Sequence, residues 1–145
     1  MKRHLISLCF AWALFSCQKE VISSNDFTSI PTTSTEIFNS TGQNLLLQGN
    51  LENAIHNTSG TAKVYEDKVK KRTLVLENFK TDAGPDLHIY LAEDKSVTNF
   101  IQISDKVQNG TILLQIPTEA DLQRQNYVLI WCRKYSVLFG FALIE

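Results

Sequence analysis

The sequence predicts an all-β domain built as a single antiparallel β-sandwich, with a closed barrel as the second choice. Beyond about Leu45, apolar residues alternate with a period of two or form short buried runs, which is typical of strands. Turn signals separate these runs, and no helical pattern long enough to connect parallel strands lies between them. The roughly 100 residues from Leu45 onward are a normal size for a sandwich.

About seven strands are predicted, each ending at a turn signal. The alternation in Gly60–Glu66 indicates the first, and polar Asp67–Lys71 forms a hairpin loop before the second. Asp82–Pro85 is a strong turn signal, and Asn109-Gly110 and Pro117 mark two later turns. The predicted strands cover residues 60–66, 72–79, 87–91, 100–104, 111–116, 127–132 and 135–144.

The C-terminal part of the domain carries three further signals. Thr118–Asp121 has the form of a helix capping box and predicts one short helical turn before Leu122. In the strand Tyr127–Cys132 both faces are largely apolar, which is expected of a central strand. Gly140, within the last strand, predicts a bulge or the close approach of another group.

The first residues have the three parts of a secretory signal peptide. Lys2 and Arg3 form a basic start, Leu5–Phe15 is an apolar stretch, and small Ser16 precedes Cys17. An apolar stretch of eleven residues is too short for a permanent membrane span. The residues before and at Cys17 resemble the lipobox of bacterial lipoproteins, in which that cysteine is acylated and becomes the first residue of the mature protein. The alternative is a plain secreted protein in which Cys17 lies near the cleavage site by chance.

We therefore divide the chain into three parts. Residues 1–16 are the predicted signal peptide, residues 17–44 comprise the lipidated Cys17 and a flexible tether, and residues 45–145 are the β domain. Ser, Thr and Asn fill 13 of the 23 positions from Ile22 to Asn44, too polar a composition for a packed core. This organisation predicts an envelope protein whose acylated Cys17 binds the lipid bilayer. The outer membrane is the expected location, and either side of it is left open.

Composition and motifs exclude several classes of function. The formal net charge of −1 lacks the basic excess of a nucleic-acid-binding protein. Three cysteines cannot hold an iron–sulfur cluster with four thiolates, and no Cys-x-x-Cys-His motif is present for covalent c-type haem attachment. The sequence has no Gly-x-Ser-x-Gly motif and no recognisable pair of catalytic carboxylates, so no hydrolase or transferase is indicated and enzymatic activity is left undecided.

Cys132 is the thiol that remains after loss of the signal peptide and acylation of Cys17. An unpaired thiol is unusual in an oxidising compartment, and the adjacent cations Arg133 and Lys134 would favour a thiolate. A free cysteine also behaves as a small buried hydrophobe, and Cys132 shares its predicted face with apolar residues. The residues alone leave three roles open: inert core, redox thiol or intermolecular disulfide, and cofactor ligand.

His88 alternates with Asp86 and Tyr90 along one face of its predicted strand, opposite the apolar face. An imidazole and a carboxylate at this spacing can bind a metal or support proton transfer. Two ligands are too few for a structural zinc site, so no metal site is predicted. The simpler interpretation is a polar outer face of the sheet.

Four segments in order resemble the electron-transfer DM-thirteen domain family. They are Leu76–Phe79 followed by Gly84–Leu91, then Ile130–Arg133, then Ser136–Gly140, and the resemblance covers roughly Gly49–Ile144 with no departure at the cysteine. The resemblance implies a small extracytoplasmic β domain with a redox role. It also implies that Cys132 acts as a bare thiol or as a ligand to a group such as haem.

Any haem would be held non-covalently by Cys132, with His88 as a speculative second ligand, and the resemblance also implies a redox partner protein in the envelope. The alternative hypothesis is a non-catalytic envelope binding domain in which Cys132 belongs to the core.

Overall fold

A computed structural model describes residues 38–145, which form nine strands in two antiparallel sheets. The predicted signal peptide, Cys17 and most of the predicted tether lie outside the described residues. The described part of the chain contains no helix with the length and hydrophobicity of a membrane span.

The strands divide between a four-stranded and a five-stranded sheet. The spatial order is β1-β3-β4-β7 in the first sheet and β2-β9-β8-β5-β6 in the second. In chain order the strands are β1 Asn44–Asn50, β2 Glu52–Asn53, β3 Thr58–Glu66, β4 Arg72–Thr81, β5 Leu87–Ala92, β6 Ile101–Ser104, β7 Gly110–Gln115, β8 Tyr127–Cys132 and β9 Val137–Leu143.

One continuous core joins the two sheets. The four-stranded sheet contributes side chains such as Val64, Leu74 and Leu76, and the five-stranded sheet contributes Ile89 and Ile130, all of them fully buried. Burial of a side chain of this size is worth about 1.5–3 kcal/mol, so the inner faces supply much of the driving force for folding. The sandwich prediction is therefore confirmed, and the two sheets are not closed into a barrel.

All seven predicted strands are present, and the structure adds two. β1 was missed because Leu45-Leu46-Leu47 does not alternate, and the ladder between β1 and β3 shifts register between Leu45 and Leu47. The second missed strand, β2, is two residues long and pairs with β9, which no local pattern can reveal. The central position predicted for Tyr127–Cys132 is confirmed, because β8 lies between β5 and β9 with the predicted bounds.

The turn predicted before Leu122 is present, but it is not helical: it spans Pro117–Ala120, where the Ala120 N–H donates to the Pro117 carbonyl at 3.2 Å. A second turn runs from Asp121 to Gln125, whose backbone N–H donates to the Asp121 carbonyl at 2.7 Å. The Asp121 carboxylate, rather than a Thr118 hydroxyl, caps this turn by accepting from the Gln123 N–H at 3.0 Å. Arg72 donates to three backbone carbonyls of the preceding loop, which holds that loop in a non-helical path.

Both features predicted for Gly140 occur together. The ladder between β8 and β9 shifts register opposite Ile130 and Trp131, so Gly140 lies in a bulge. A Cβ atom at this position would lie 2.3 Å from the Thr58 Cβ, a distance that no side chain can occupy. Gly140 therefore lets β9 pass close to β3 from the opposite sheet.

Candidate functional site around Cys132 and His88

Cys132 is the last residue of β8 and lies at one end of the sandwich. Its Cα pairs with Leu87 at the start of β5 and with Val137 at the start of β9. The turn Arg133–Ser136 follows directly, closed by a hydrogen bond from the Ser136 N–H to the Arg133 carbonyl at 3.3 Å. We refer to Asp86, Leu87, Cys132, Arg133 and Val137 as the Cys132 end.

The thiol points into the core. Cys132 is 0% exposed and belongs to the same buried cluster as Val128 and Ile130. It is a free cysteine. Leu87 and Val137, which flank it on the same face, are only half-buried. Because Cys132 is fully buried, a reagent or a partner sulfur can reach Sγ only when side chains around it move.

The outer face of the same strands carries a polar network centred on His88. The His88 ring is 2% exposed, with Nε2 2.8 Å from Asp86 Oδ1 and Nδ1 2.9 Å from Gln102 Oε1. Arg133 donates through Nε to the second Asp86 oxygen, Oδ2, at 3.1 Å. The Arg133 N–H also donates to the Asp86 carbonyl at 3.0 Å, which fixes the two residues side by side.

Both ring nitrogens of His88 thus face an oxygen. When Nε2 carries a proton it donates to the Asp86 carboxylate, and Nδ1 either donates to the Gln102 oxygen or, with that amide rotated by 180°, accepts from its NH₂ group. The hydrogen bond from His88, followed by the hydrogen bond and charge of Arg133, lowers the pKa of Asp86 below its usual value, although desolvation acts in the opposite direction.

The polar outer face predicted around His88 is therefore present, although His88 itself is buried within it. The predicted alternation of faces does hold, since Leu87, Ile89 and Leu91 pack into the core while Tyr90 belongs to a second cluster. That second cluster covers the outer face of the five-stranded sheet. The rings of Tyr90 and Phe100 lie 4.5 Å apart, and the His88 ring lies 5.7 Å from that of Tyr90.

The structure does not bring Cys132 and His88 together. His88 pairs with Trp131 and Cys132 pairs with Leu87, so the two side chains lie on opposite faces of the sheet. Neighbouring Arg133 faces outward toward Asp86, and the ammonium group of Lys134 lies 5.4 Å from the Tyr135 ring centre. The cations that follow Cys132 in sequence therefore point away from its thiol.

The residues around Cys132 do not fit a haem. The sulfur is enclosed by core side chains, and the imidazole considered as a second ligand is on the far side of the sheet. Within residues 38–145, no three His, Cys, Asp or Glu side chains converge in a way that could hold a metal ion.

An open groove of about 520 Å³ lies beside the Cys132 end. Its walls are the loop Thr81–Leu87 and the loop Asp105–Asn109. Leu87 belongs to this wall and also pairs with Cys132, so a single half-buried side chain connects the groove to the region of the thiol. The groove is too polar and too open to enclose an apolar ligand, but it leaves space into which Leu87 can move.

Sequence reasoning missed Gln102 because its contact with His88 depends on the pairing of β5 with β6.

A match to a known family is consistent with this arrangement: the family model described as Electron transfer DM13 matches residues 50–144, well over half of the chain. The chain belongs to this family. The resemblance to the DM-thirteen domain is thereby confirmed, and the matched region of the DM13 domain includes β2 to β9 with Cys132 and His88. No curated protein and no solved structure gave a match.

Proposed function

We propose that this DM13 domain is a redox module of the bacterial cell envelope, anchored to the membrane through an acylated Cys17 and using Cys132 as its thiol. The family match supports a redox role. We choose Cys132 because it lies at the terminal pairing position of β8 with both β5 and β9, beside the half-buried Leu87 and Val137. Strand ends of this kind open locally with a smaller free energy than global unfolding requires.

The proposed chemistry is thiol–disulfide exchange with a partner protein of the envelope. The Cys132 thiol first loses its proton to solvent, and the thiolate attacks one sulfur of a partner disulfide. A new S–S bond forms between Cys132 and that sulfur, while the other partner sulfur leaves as a thiolate. Attack by a second thiolate on the mixed disulfide releases Cys132 again, so electrons pass between partners in pairs.

The test is the rate at which native Cys132 reacts with a small aromatic disulfide. The mature chain carrying Cys17→Ser contains Cys132 as its one thiol, because Cys9 is lost with the predicted signal peptide. We expect a reaction much faster than global unfolding, which is measured separately by a jump into denaturant. Leu87→Ala, which shortens a neighbouring side chain, should accelerate the reaction, whereas Val69→Ala, at an exposed position in the loop between β3 and β4, should not.

A second candidate function is a non-catalytic envelope binding domain in which Cys132 is a core residue. The complete burial of Cys132 beside Val128 and Ile130 favours it. This candidate predicts that the thiol reacts only at the rate of global unfolding and that Leu87→Ala changes that rate only through stability. Equality of the two rates would therefore contradict the redox proposal.

The geometry also gives an expectation for haem. The mature chain, produced with haem available, should show no Soret band before or after dithionite, because Cys132 is enclosed in the core. A band that shifts on reduction and disappears in Cys132→Ala would overturn that expectation.

The anchor is tested independently of the redox step. Cells fed a radiolabelled fatty acid should incorporate label into the wild-type chain and not into Cys17→Ala. Label that persists in the variant would contradict acylation at Cys17.

A further inference from the structure

Within residues 38–145 the two sheets leave four edge strands, which are β1, β2, β6 and β7. An edge strand presents unpaired backbone N–H and C=O groups to which another strand can bind. Proteins usually block such pairing with a short strand, a charged side chain, a proline, a bulge or a covering segment. The four edges of this domain differ in which of these protections they carry.

Three of the edges are protected. β1 has a shift in register near its start, and the C-terminal Glu145 covers part of it by exchanging two backbone hydrogen bonds with Gln48, each at 3.1 Å. β2 is two residues long. β6 is four residues long, and its ladder with β5 shifts register between Ile89 and Tyr90. None of these three strands offers a long, regular row of free backbone groups.

β7 has none of these protections. It spans Gly110–Gln115 without a charged residue or a proline, and its pairing with β4 is regular from Thr73 to Leu76. No strand of the described residues pairs with it on the side away from β4. Leu113, near its middle, is 39% exposed. A further strand can therefore pair with β7 over several residues.

The register with β4 shows which backbone groups of β7 are free. Just beyond the strand, the Ile116 N–H donates to the Arg72 carbonyl at 3.0 Å, so these two residues form a hydrogen-bonded pair. Such pairs alternate along an antiparallel ladder, so Leu114 and Ile112 are also hydrogen-bonded to β4. The residues that alternate with them direct their backbone groups away from β4. These residues are Thr111, Leu113 and Gln115.

We propose that the β7 edges of two copies of this chain pair antiparallel, around a two-fold axis at Leu113. In this register Leu113 faces Leu113 of the second copy, and Thr111 faces Gln115 in both directions. The residues with free backbone groups then form hydrogen-bonded pairs with one another along the whole edge. Two four-stranded sheets thereby become one continuous sheet.

The side chains of β7 are complementary to themselves in this register. Leu113 meets its own equivalent, so two exposed side chains bury apolar area against each other. Thr111 meets Gln115, and both are exposed and uncharged. A two-fold axis brings each residue on it against its own copy, so a charged residue there would repel itself, and β7 has none. A second copy of this chain therefore fits the edge without repulsion.

This contact does not use the Cys132 end. β7 begins directly after Asp105–Asn109, which forms one wall of the groove beside the Cys132 end, and it runs away from that groove. Antiparallel pairing therefore places the two Cys132 ends at opposite ends of the joined sheet. The dimer requires neither the redox step nor the lipid anchor proposed above.

The experiment is sedimentation velocity on the mature chain carrying Cys17→Ser, over a range of concentrations and with a reductant that prevents disulfides between copies. We expect the wild type to change from monomer to dimer as the concentration rises. Leu113→Lys should raise the dissociation constant of the dimer at least about tenfold, because it removes the apolar contact and places two like charges opposite each other. Leu143→Lys is the matched control, because Leu143 is 37% exposed but belongs to β9, which lies between β2 and β8.

Thr111→Pro tests the backbone pairing separately. Proline removes the N–H that points away from β4 and leaves the ladder with β4 in place, so this variant should weaken the dimer and still fold. Thr111→Ser keeps the N–H and should dimerise like the wild type. Urea denaturation of each variant shows whether its fold is intact.

Hydrogen exchange of the wild type requires no variant and gives the third test. The amides of Thr111, Leu113 and Gln115 should become protected as the protein concentration rises. Protection that does not depend on concentration would overturn the proposal, because a segment of the same chain would then occupy this edge.

Two results of the sedimentation experiment would also overturn the proposal. One is a wild type that stays monomeric up to millimolar concentration. The other is a dimer that Leu113→Lys and Thr111→Pro form as tightly as the wild type, since the contact would then lie elsewhere. None of these outcomes depends on whether Cys132 reacts, so this proposal and the redox proposal fail separately.

Discussion

The two faces of the five-stranded sheet differ most where β5 begins and β8 ends, although their residues alternate along the same backbone. On the inner face, Cys132 is fully buried among apolar side chains. On the outer face, one residue further along, Arg133 donates to Asp86, which in turn binds His88. Only the strand backbone therefore lies between a thiol that is excluded from solvent and a network of charged groups.

This difference shows why neighbours in sequence are poor guides to electrostatics in a strand. Successive side chains point to opposite faces, so a cation next to a cysteine in sequence is the residue least able to face its sulfur. His88 shows the converse, because Gln102 comes from a different strand and its link to His88 depends on sheet pairing. If the thiol becomes reactive, the cause must be movement of the strand ends and not the charge of Arg133.

The largest loss of stability is expected when His88, the centre of the hydrogen-bond network on the outer face (the outer network), is removed. His88→Ala deletes a buried ring and both of its hydrogen bonds, and leaves the Gln102 amide without its partner. We expect a loss of about 3 kcal/mol in the free energy of unfolding, measured by urea denaturation. His88→Gln, which keeps a polar amide in the site, should lose less. Equal losses in the two variants would show that ring packing, and not hydrogen bonding, stabilises this face.

On the inner face, Cys132→Ser should destabilise the protein by about 1–3 kcal/mol, because it buries a hydroxyl among apolar groups. Cys132→Ala removes the sulfur without adding a polar atom and is the matched control. If the inner face is as dry as its burial indicates, the serine variant unfolds at a lower urea concentration than the alanine variant. A serine variant as stable as the wild type would contradict that description.

The sequence predicts the parts of this comparison that depend on local pattern. β8 has the predicted bounds because Tyr127–Cys132 is dense in strand-forming residues on both faces. Alternation also places Cys132 on the same face as Val128 and Ile130, and His88 on the face opposite Leu87 and Ile89, as observed.

Long-range pairing accounts for what the sequence could not predict. Phe100, from beyond β5, packs against Tyr90, and the Tyr90 ring lies 5.7 Å from that of His88. The bond between His88 and Gln102 depends on a register shift between β5 and β6 that has no local signal. The path of Phe38 onto Tyr65 depends on the turn at Gly42, within a segment whose composition indicates only a tether.

A smaller loss of folding stability is expected at acidic pH. Because His88 and Arg133 lower the pKa of Asp86 in the folded state, its ionised form stabilises the fold above the pKa of the unfolded chain. This contribution is lost as the pH falls through the lower, folded pKa. The pKa values of Asp82 and Asp94 are lowered as well, chiefly by hydrogen bonds from Asn57 and Thr98 respectively, so all three contribute to acid sensitivity.

Asp86→Asn should therefore weaken the dependence of stability on pH below about pH 4, where the unfolded carboxyl titrates. Urea denaturation at a series of pH values measures this slope. Asp67→Asn provides the matched control, because Asp67 caps the loop between β3 and β4, away from His88. If Asp86→Asn and the wild type lose stability in parallel, then the outer network does not hold Asp86 in its ionised form.

The smallest effect is expected from Arg133→Ala. Its side chain is 64% exposed, and exposed ion pairs contribute about 0.2–1 kcal/mol. The backbone bond from residue 133 to the Asp86 carbonyl is unaffected, so the strands at this end of the sheet should stay paired but separate more readily.

A change of 1 kcal/mol in the free energy of local opening corresponds to about a fivefold change in the rate of thiol reaction. We expect Arg133→Ala to speed the reaction of Cys132 by up to about that factor, and Lys134→Ala, which does not contact Asp86, to leave it unchanged. A comparable increase in both variants would mean that loosening of the turn, and not loss of the outer contact, exposes the inner face.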